Sequence, residues 1–508
     1  MLGEIVRTAA DRFGDREVLR RATDALTYRD LDAAADRVAA GLVHRGIGPG
    51  DVVSDVLPSC AEWVVLAVAL DRIGAVHAPV SPKLTAPERA ELVALVAPDL
   101  VVTDRAGVEG LPLRSDVVVV EPGDRGEPLW GPRRPTTPDT GDRPGPTTDD
   151  PGRVTTICFT SGTTGRAKGA VFTVAHQRAV QDLDLGEGAE QRWGGGAAML
   201  ASTQFAHVGM ALKLPWYLRT GSTLQVLDTW RADDALRLVA EHRMPTIGVV
   251  APQLALMLRS PLMESLDLGS VSAIIAGGAA SPPGLVHEAR ERFGAAYSIR
   301  YSSTESGGVG LGTAFDADDD EALHTIGRPR AGVEARVTDE DDGPLPDGEV
   351  GELQIRSAAV MDRYWNDPDA TAAALTTDRW LRTGDLAVRR DDGCYVLSGR
   401  RTDMYIRGGY NVFPEEVEAA LSDHPAVAAV AVAPRPDEVM GEIGVAVVVA
   451  RDPATAPSLQ DLRDHAATRL ARHKLPEDVV VVPRLPLTTV AKLDRAALAG
   501  IVADRSPT

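Results

Sequence analysis

The stretch from Phe159 to Gly169 constrains this chain more than any other. It places three glycines, four hydroxyl side chains and one lysine between two apolar segments, 154–159 and 170–174. The first apolar segment is rich in β-branched and aromatic residues and predicts a buried strand. Glycines allow a close approach of the backbone to a ligand, and hydroxyls and exposed amides suit phosphate oxygens. The stretch therefore predicts a loop that wraps a polyphosphate, with Lys168 as a mobile positive charge.

This loop differs from the phosphate loop of the common nucleotide hydrolases, in which the lysine is followed by Ser or Thr. Here Lys168 is followed by Gly169. A glycine-rich segment taken alone is also compatible with an ordinary polar surface loop. Other motifs along the chain must therefore decide between the two interpretations.

The length of 508 residues favours two or more domains. A net charge of −20 argues against polyanion binding as the main activity, so a phosphate ligand must be held by local donors. Three widely spaced cysteines indicate a reducing compartment, expected to be the cytoplasm, without a disulfide framework or zinc site. The N-terminus lacks the form of a signal peptide, and the longest apolar run, 63–70, is too short to span a bilayer.

Helix-like and strand-like segments alternate through the first hundred residues. The pattern predicts helices over 2–13, 32–44, 59–73 and 87–96 and strands over 51–57 and 100–103. Short strands followed closely by helices favour parallel pairing with right-handed crossovers in a doubly wound α/β layer. Residues 121–152, crowded with Pro, Gly, Asp and Thr, predict a surface connection that leads to the phosphate loop.

Two later segments carry residue types that suit a nucleotide. The small residues 277–280, after a predicted strand, leave room for a flat ring to approach the backbone. In the segment 301–305, the residue types suit a nucleotide: an aromatic face can border a base, a threonine hydroxyl can reach a phosphate, and a carboxylate such as Glu305 can hold Mg²⁺. Small-residue turns and polar surface turns are common, so each segment alone is weak evidence.

Together these segments resemble those of the adenylate-forming superfamily, which comprises acyl-CoA synthetases, nonribosomal adenylation domains and luciferases. The loop matches the Thr-Ser-Gly-Thr-Thr-Gly-x-x-Lys-Gly signature, with Ala167 in place of the usual proline. The resemblance extends over nearly the whole chain and implies an α/β fold. A large N-terminal domain, 1–401, would contain doubly wound sheets and a small β section, and a small mobile α+β domain, 402–508, would follow.

The resemblance also assigns roles to residues of the large domain. Glu305 would hold the metal, Thr304 would reach a phosphate, and Asp385 of a Thr-Gly-Asp motif would accept the ribose hydroxyls. Arg400, in a Gly-Arg-x-x-Asp junction, would reach the ribose or phosphate. The remaining nucleotide-binding residues would be Thr160, Ser161, Gly162, Thr163, Thr164, Gly165, Lys168, Gly278, Ala279, Ala280, Tyr301 and Ser302, the last in place of a family glycine.

Three further features of the small domain follow from the resemblance. The hinge position carries Thr402, where the family usually has Asp or Lys, and a hinge need only absorb a backbone rotation. Gly408 and Gly409 would let the pantetheine arm of CoA pass. Lys492, in a terminal Gly-Lys-x-x-Arg motif with Ala491 for the glycine, would be the catalytic lysine. A solvated surface lysine is the ordinary interpretation of Lys492 taken alone.

The segment around His207 resembles the Phe-His-x-x-Gly segment beside the family's carboxylate pocket, where an aromatic ring gates the pocket. Taken alone, His207 is better interpreted as a core histidine before a helix. Relatives that activate amino acids usually place an Asp nearby, but the neighbours here are Ala206, Val208 and Met210. An unpaired buried ammonium is costly, which favours an acid without an amino group unless a remote residue supplies the charge.

The resemblance implies a ligase that uses ATP and Mg²⁺ to convert a carboxylic acid into an acyl-adenylate with release of pyrophosphate. The acyl group then passes to the thiol of CoA, giving acyl-CoA and AMP. Two alternatives stay open: transfer to the phosphopantetheine of a carrier protein or to another nucleophile, and an inactive nucleotide-binding homologue. Retention of the charged motif residues argues against the last, and the sequence leaves the acid itself open.

Overall fold

The computed structural model describes residues 1–22, 24–109, 111, 116–121, 123, 150–160, 167–186, 188–278, 281–400, 404–407, 410–437, 440–470, 472–488 and 493–503. The first part of the chain alternates strands with helices. Its elements are α1 (Leu2–Phe13), β1 (Glu17–Arg21), β2 (Asp24–Thr27), α2 (Tyr28–His44), β3 (Val52–Val56), α3 (Ala61–Ile73), β4 (Val76–Pro79), α4 (Ala86–Val96), β5 (Leu100–Thr103), β6 (Asp116–Val119), β7 (Val154–Thr160) and β8 (Lys168–Thr173).

The middle of the chain continues the alternation and adds several short elements. These are α5 (Val174–Leu185), β9 (Ala198–Leu200), α6 (Val208–Ala211), α7 (Leu214–Thr220), β10 (Thr223–Val226), α8 (Ala232–Glu241), β11 (Thr246–Val249), α9 (Ala251–Leu258), β12 (Ala273–Gly277), α10 (Pro283–Phe293), β13 (Ala296–Tyr301), β14 (Leu311–Gly312), α11 (Asp319–His324) and β15 (Arg328–Pro329).

The last part is a β-rich section followed by a small α+β unit. Its elements are β16 (Glu334–Thr338), β17 (Val350–Arg356), α12 (Pro368–Ala374), β18 (Leu381–Arg389), β19 (Tyr395–Arg400), β20 (Tyr405–Arg407), β21 (Tyr410–Val412), α13 (Pro414–Ser422), β22 (Val427–Asp437), β23 (Gly441–Ala450), α14 (Leu459–Ala466), β24 (Asp478–Val481) and α15 (Arg495–Ala503).

Within the described part of the chain, the strands form five sheets. One has the order β6-β5-β3-β4-β7-β8, in which all neighbours are parallel except the β7–β8 hairpin. A second has the order β11-β12-β13-β14-β15 and is parallel over its first three strands. A third, β2-β1-β10-β9, is mainly parallel, and β16 to β19 form an antiparallel meander. The fifth sheet, β21-β20-β23-β22 with β24 beside β23, belongs to the C-terminal unit.

The buried strands and helices have the composition that burial requires. Every residue of β3 and β5 is buried, and apart from Ser54, Asp55 and Thr103 these residues are valines and a leucine. Helix α3 is buried along its whole length, including three charged residues, Glu62, Asp71 and Arg72. Asp71 pairs with the N-terminal ammonium and Arg153, and Arg72 pairs with acidic side chains of α2. Pairing makes the buried charges of Asp71 and Arg72 tolerable.

The fold confirms the predicted α/β class, with doubly wound sheets, a small β section and a small α+β C-terminal unit. Some boundaries differ from the sequence prediction. Helix α2 begins at Tyr28, four residues earlier than predicted, because the Thr27 side chain caps it by accepting a 3.0 Å hydrogen bond from the Asp30 N–H. Across the described segments, no helix is long and apolar enough to cross a membrane.

Candidate active site

Strands β7 and β8 flank the predicted phosphate loop and pair as an antiparallel hairpin. Thr160 and Lys168 face each other in the antiparallel register and close the base of the loop. Gly169 follows in β8, and a Cβ there would lie 2.7 Å from Cγ2 of Ile157, so the glycine allows close packing within the hairpin. The loop predictions Ser161, Gly162, Thr163, Thr164 and Gly165 lie outside the described residues.

Lys168 and Glu305 are connected through Tyr364. The Lys168 Nζ lies 5.0 Å from the centroid of the Tyr364 ring, a cation–π contact. The Tyr364 hydroxyl donates a 2.8 Å hydrogen bond to Oε1 of Glu305. Burial and the Glu305 carboxylate raise the pKa of Tyr364, so its phenol stays a neutral donor. The hairpin and the Thr304–Glu305 turn therefore belong to one site.

Tyr364 is a site residue that the sequence analysis missed. It reaches the site because an extended segment, 361–365, runs along β8: the Trp365 N–H donates to the Gly169 carbonyl at 2.7 Å. On the other side, the Met361 N–H donates to the Glu305 carbonyl at 2.8 Å. Segment 361–365 contains no motif typical of nucleotide-binding proteins. In the sequence alone, Tyr364 next to Trp365 could not be distinguished from an ordinary aromatic residue of the core.

Glu305, the residue predicted to bind Mg²⁺, accepts the hydrogen bond from the Tyr364 hydroxyl with one of its two carboxylate oxygens. Within the described ranges, no cluster of three His, Cys, Asp or Glu side chains forms a cage for a metal ion. Mg²⁺ is usually bound by one or two carboxylates together with substrate phosphates and waters. Glu305, half-buried beside the phosphate hairpin, fits a magnesium ion that arrives with a triphosphate.

The turn that presents Thr304 and Glu305 is fixed by two serines. The Ser306 N–H donates to Ser303 Oγ at 3.1 Å, and the Ser303 N–H donates to Ser306 Oγ at 2.9 Å. The next residue, Gly307, has φ +70°, and a Cβ there would lie 2.5 Å from the Ala359 carbonyl oxygen. The turn thus depends on small residues whose importance the sequence motif did not reveal.

Tyr301 and Asp385 meet across two sheets. The Tyr301 hydroxyl donates a hydrogen bond to Oδ2 of Asp385, and Asp385 is only 9% exposed. The Asp385 N–H donates to Thr383 Oγ1 at 3.1 Å, which orients the Thr-Gly-Asp turn. In the β18–β19 register, Asp385 lies opposite Arg400, whose side chain is outside the described part of the structure. The predicted ribose residues are therefore neighbours.

The predicted adenine segment lies next to Tyr301. Strands β12 and β13 are parallel neighbours with Gly277 opposite Arg300, so Gly278 and Tyr301 both stand at the carboxyl ends of their strands. Ligands of open α/β sheets bind outside the carboxyl ends of the strands. Ser302 follows Tyr301 at this edge, whereas Ala279 and Ala280 lie outside the described residues.

His207 begins the four-residue helix α6 and is exposed. Its Nδ1 accepts a 3.1 Å hydrogen bond from the Gly209 N–H, so a neutral His207 carries its proton on Nε2. A Cβ on Gly308 would lie 3.7 Å from Val208, which places the His207 segment against the Thr304–Gly308 turn. Phe205 is 1% exposed and packs against Trp63 at 5.3 Å, so His207, not Phe205, presents its ring to the surface.

The small-domain predictions Thr402, Gly408, Gly409 and Lys492 lie outside the described residues. The flanks of Lys492 are described: Leu487 and Leu493 form a β-bridge. Arg495, the last residue of the terminal motif, donates to Glu418 Oε1 at 2.7 Å and to the Val432 carbonyl at 3.0 Å. Arg495 thus anchors the segment to α13 and β22 of the same unit.

Comparisons with known proteins identify the family of the chain. The profile of the AMP-binding enzyme family matches residues 6–365, and that of the AMP-binding enzyme C-terminal domain matches residues 416–492. The medium/long-chain-fatty-acid–CoA ligase FadD8 of Mycobacterium tuberculosis is 34% identical over 68% of this chain, and the match spans 61% of that relative. The indoleacetate–CoA ligase of Aromatoleum aromaticum is 30% identical over 95% of this chain and 94% of its own.

Among solved structures, the amide bond synthetase McbA of Marinactinospora thermotolerans superposes with a TM-score of 0.86 at 27% identity. The superposition covers 99% of this chain and 100% of that one.

Proposed function

Because the chain belongs to the AMP-binding enzyme family, we propose that it is an AMP-forming acid–CoA ligase. The enzyme joins a carboxylic acid to ATP and passes the acyl group to CoA. The observation that carries this proposal is the contact chain from Lys168 through Tyr364 to Glu305. This chain of contacts connects the Lys168 ammonium, at the hairpin that would hold the triphosphate, to the carboxylate that would hold the metal.

In the first step the substrate carboxylate attacks the α-phosphorus of ATP. A carboxylate–phosphorus bond forms, the bond to the bridging oxygen breaks, and pyrophosphate leaves with the electron pair. Both reactants are anions, so positioning and charge neutralisation carry most of the rate enhancement. Lys168 and the loop hydroxyls would bind the leaving pyrophosphate, and Lys492 would contact the carboxylate and the α-phosphate.

Glu305 would hold Mg²⁺, which neutralises charge on the phosphate oxygens when bound. Tyr364 keeps the Glu305 carboxylate in place and stays protonated itself. Asp385 and Tyr301, already hydrogen-bonded to each other, would receive the ribose and adenine, with Arg400 beside them. Gly278, Ala279, Ala280 and Ser302 would border the base.

In the second step a thiol attacks the acyl carbon and AMP leaves. We propose that the division at 401/402 separates the two domains and that rotation about Thr402 brings Gly408 and Gly409 to the adenylate. The thiol belongs to the acceptor, because the cysteines of the chain are buried and unpaired: Cys60, Cys158 and Cys394. Their unpaired state also fits a reducing compartment, and we propose the cytoplasm.

The acceptor is the part of the proposal with competing candidates. A carrier-protein phosphopantetheine presents the same thiol as CoA. An amine is a second candidate, since the structurally similar McbA is an amide bond synthetase. Both alternatives keep the first step unchanged.

The test is pyrophosphate release with ATP and Mg²⁺ over a panel of carboxylic acids, each with and without CoA. We expect one class of acid to trigger release and CoA to accelerate it with a thioester product. If CoA does not change the rate of pyrophosphate release, the acceptor would instead be a carrier protein or an amine. Absence of release with every acid, in protein that binds ATP, would contradict the ligase assignment.

A further inference from the structure

A cluster of charged side chains lies next to the His207 segment, which would line the acid pocket. The chemistry proposed above does not use this cluster. Asp184, at the end of α5, is bridged by two cations: its Oδ2 lies 2.8 Å from the Nζ of Lys213, and its Oδ1 lies 2.7 Å from Nη1 of Arg330. Arg330 also donates to the Leu183 carbonyl at 3.2 Å. Asp184 is 11% exposed, and the two cations are about 20% exposed.

The cluster is adjacent to both segments that flank the proposed acid pocket. Lys213 follows α6, the helix that His207 begins, and its N–H donates to the Met210 carbonyl at 3.1 Å. Arg330 donates its backbone N–H to the Gly310 carbonyl at 3.2 Å, two residues after Gly308. A Cβ on Gly308 would lie 3.7 Å from Val208, so the His207 segment contacts the Thr304–Gly308 turn. Lys213 and Arg330 of the cluster lie just beyond these two contacting segments.

The cluster carries more positive than negative charge. Both oxygens of Asp184 are engaged, yet Lys213 and Arg330 bring two positive charges to its one negative charge. Arg300 adds a third cation, whose guanidinium donates to the neutral oxygens of Ser298 and Thr313. Burial, together with the positive charge of Arg330, lowers the pKa of Arg300 to about 10, while the Asp184 carboxylate acts in the opposite direction. Such a surplus in a partly buried site favours an anionic ligand.

The residue type at position 213 is unusual for this chain. Of its 53 basic residues, five are lysines: Lys83, Lys168, Lys213, Lys474 and Lys492. Two of these are assigned to phosphate groups in the proposed function. Most basic residues of the chain are arginines, so a lysine at position 213, beside the proposed acid pocket, is notable. It indicates that the flexible ammonium of Lys213 makes a specific contact.

We propose that Lys213 and Arg330 bind a second carboxylate of the substrate, so that the acid is a dicarboxylic acid. One carboxylate reacts with ATP near His207, and the other is held by the cluster. This inference rests on the proposed function and adds the substrate class to it. It also excludes a substrate whose far end carries an ammonium, because that ammonium would meet two cations and an Asp184 that is already paired.

The experiment compares matched acids in ATP–pyrophosphate exchange: hexanoate against adipate, and benzoate against terephthalate. For the wild-type enzyme, we expect at least one diacid to exceed its monoacid in kcat/KM by about tenfold or more, the scale of a charge-assisted hydrogen bond. A wild-type enzyme that prefers the monoacid in each pair overturns the inference and leaves the ligase assignment intact. Exchange with none of the acids, in protein that binds ATP, overturns both.

Two substitutions separate recognition from structure. Lys213→Met and Asp184→Asn break the same ion pair but change the charge of the cluster in opposite directions. We expect Lys213→Met to lower the diacid-to-monoacid ratio by about tenfold and Asp184→Asn to raise it or leave it high. A purely structural ion pair predicts equal loss for both acids in both variants, which would contradict the proposal.

Lys83→Met is the matched control, because it removes one charge from an exposed lysine remote in sequence from the cluster. Its acid preference should equal that of the wild type. Arg330→Gln also removes one positive charge from the cluster. This variant is used in the comparison if Lys213→Met does not fold. An unchanged ratio in Arg330→Gln would likewise count against the proposal.

Discussion

The hydroxyl of Tyr364 donates a 2.8 Å hydrogen bond to Oε1 of Glu305, and the ring of the same tyrosine lies 5.0 Å from the Nζ of Lys168. The side chain of Tyr364 thus contacts both Lys168 of the β7–β8 hairpin and the carboxylate of Glu305, and it sets the distance between them. The two motifs are more than a hundred residues apart in sequence, and Tyr364 belongs to neither of them.

Tyr364→Phe tests the hydrogen bond while it keeps the ring beneath Lys168. We expect the adenylation rate to fall by about tenfold, and the Mg²⁺ requirement to rise, because a hydrogen bond to a charged group contributes about 1.5–3 kcal/mol. The measurement is pyrophosphate release against Mg²⁺ concentration. Tyr395→Phe is the control, since it removes a 2.8 Å hydrogen bond to the Ala335 carbonyl outside the site. Equal effects of the two variants would argue for general destabilisation.

Asp385→Asn tests the predicted ribose contact. The substitution keeps the shape of the side chain and an oxygen for the Tyr301 hydroxyl, but it removes the charge. We expect the KM for ATP to rise by about tenfold, the scale of a charge-assisted hydrogen bond, with a smaller change in the KM for the acid. Asp391→Asn, on an exposed turn of the same meander, should leave both constants unchanged. A rise confined to the acid KM would place Asp385 elsewhere in the site.

Lys492→Ala tests the assignment of the catalytic lysine. Loss of one preorganised charge at the reacting phosphate should slow pyrophosphate release by about 100-fold or more. Thioester formation from a preformed acyl-adenylate should be affected far less, because the α-phosphate bond is already made. Lys83→Ala, an exposed lysine, serves as the control. A near-normal rate of pyrophosphate release in Lys492→Ala would remove this lysine from the first step.

The sequence predicted the parts of the site that depend on local chemistry. Glycines and hydroxyls at 160–169, the carboxylates Glu305 and Asp385, and the aromatic Tyr301 are residue types that a nucleotide requires. The strand before the phosphate loop was visible because β7 is rich in β-branched and aromatic residues. The alternation of strands and helices likewise predicted the α/β class.

Residues that act through tertiary contacts were not predictable in the same way. Tyr364 and Ser306 reach the site through pairing across β8 and through a reciprocal serine turn, and neither has a local signature. The cation cluster at Asp184 unites residues from three distant segments, and each alone is an ordinary surface charge pattern. The pairing β1–β10 joins strands two hundred residues apart, and β1 itself was missed because its Arg-rich sequence lacks apolar alternation.

Gly307→Ala should destabilise the protein and lower activity together. Gly307 has φ +70°, and its added methyl group would lie 2.5 Å from the Ala359 carbonyl oxygen, so the turn that holds Glu305 must shift. We expect a loss of about 1–3 kcal/mol in unfolding free energy, measured by urea denaturation. Gly284→Ala is the matched control: it lies in α10 with no heavy atom within 4 Å of its added Cβ, and alanine favours a helix. Comparable losses in both variants would show that the Gly307 contact is unimportant.

Asp71 provides a prediction on stability against pH. It accepts hydrogen bonds from the Gly3 N–H at 2.9 Å and from Arg153 at 2.7 Å, and it pairs with the N-terminal ammonium at 3.2 Å. Burial raises the pKa of Asp71, but the ammonium and Arg153 outweigh it and hold the pKa below the ordinary value of 3.8. A depressed pKa in the folded state means that ionisation of Asp71 stabilises the protein above pH 3.8 and that this stabilisation is lost as the pH falls through the folded value.

Asp71→Asn should therefore lower the melting temperature at pH 7 and at pH 5 by the same amount, because Asp71 is ionised in both folded and unfolded chains at these values. Removing one partner from a buried ion pair costs about 3–5 kcal/mol. As the pH falls below 3.8, the wild type loses its advantage and the two melting temperatures converge. Asp267→Asn, at an exposed pair with Arg243, should change the melting temperature little over the same range. A difference between wild type and Asp71→Asn that stays constant down to pH 2 would mean that packing around Asp71, and not its charge, stabilises the fold.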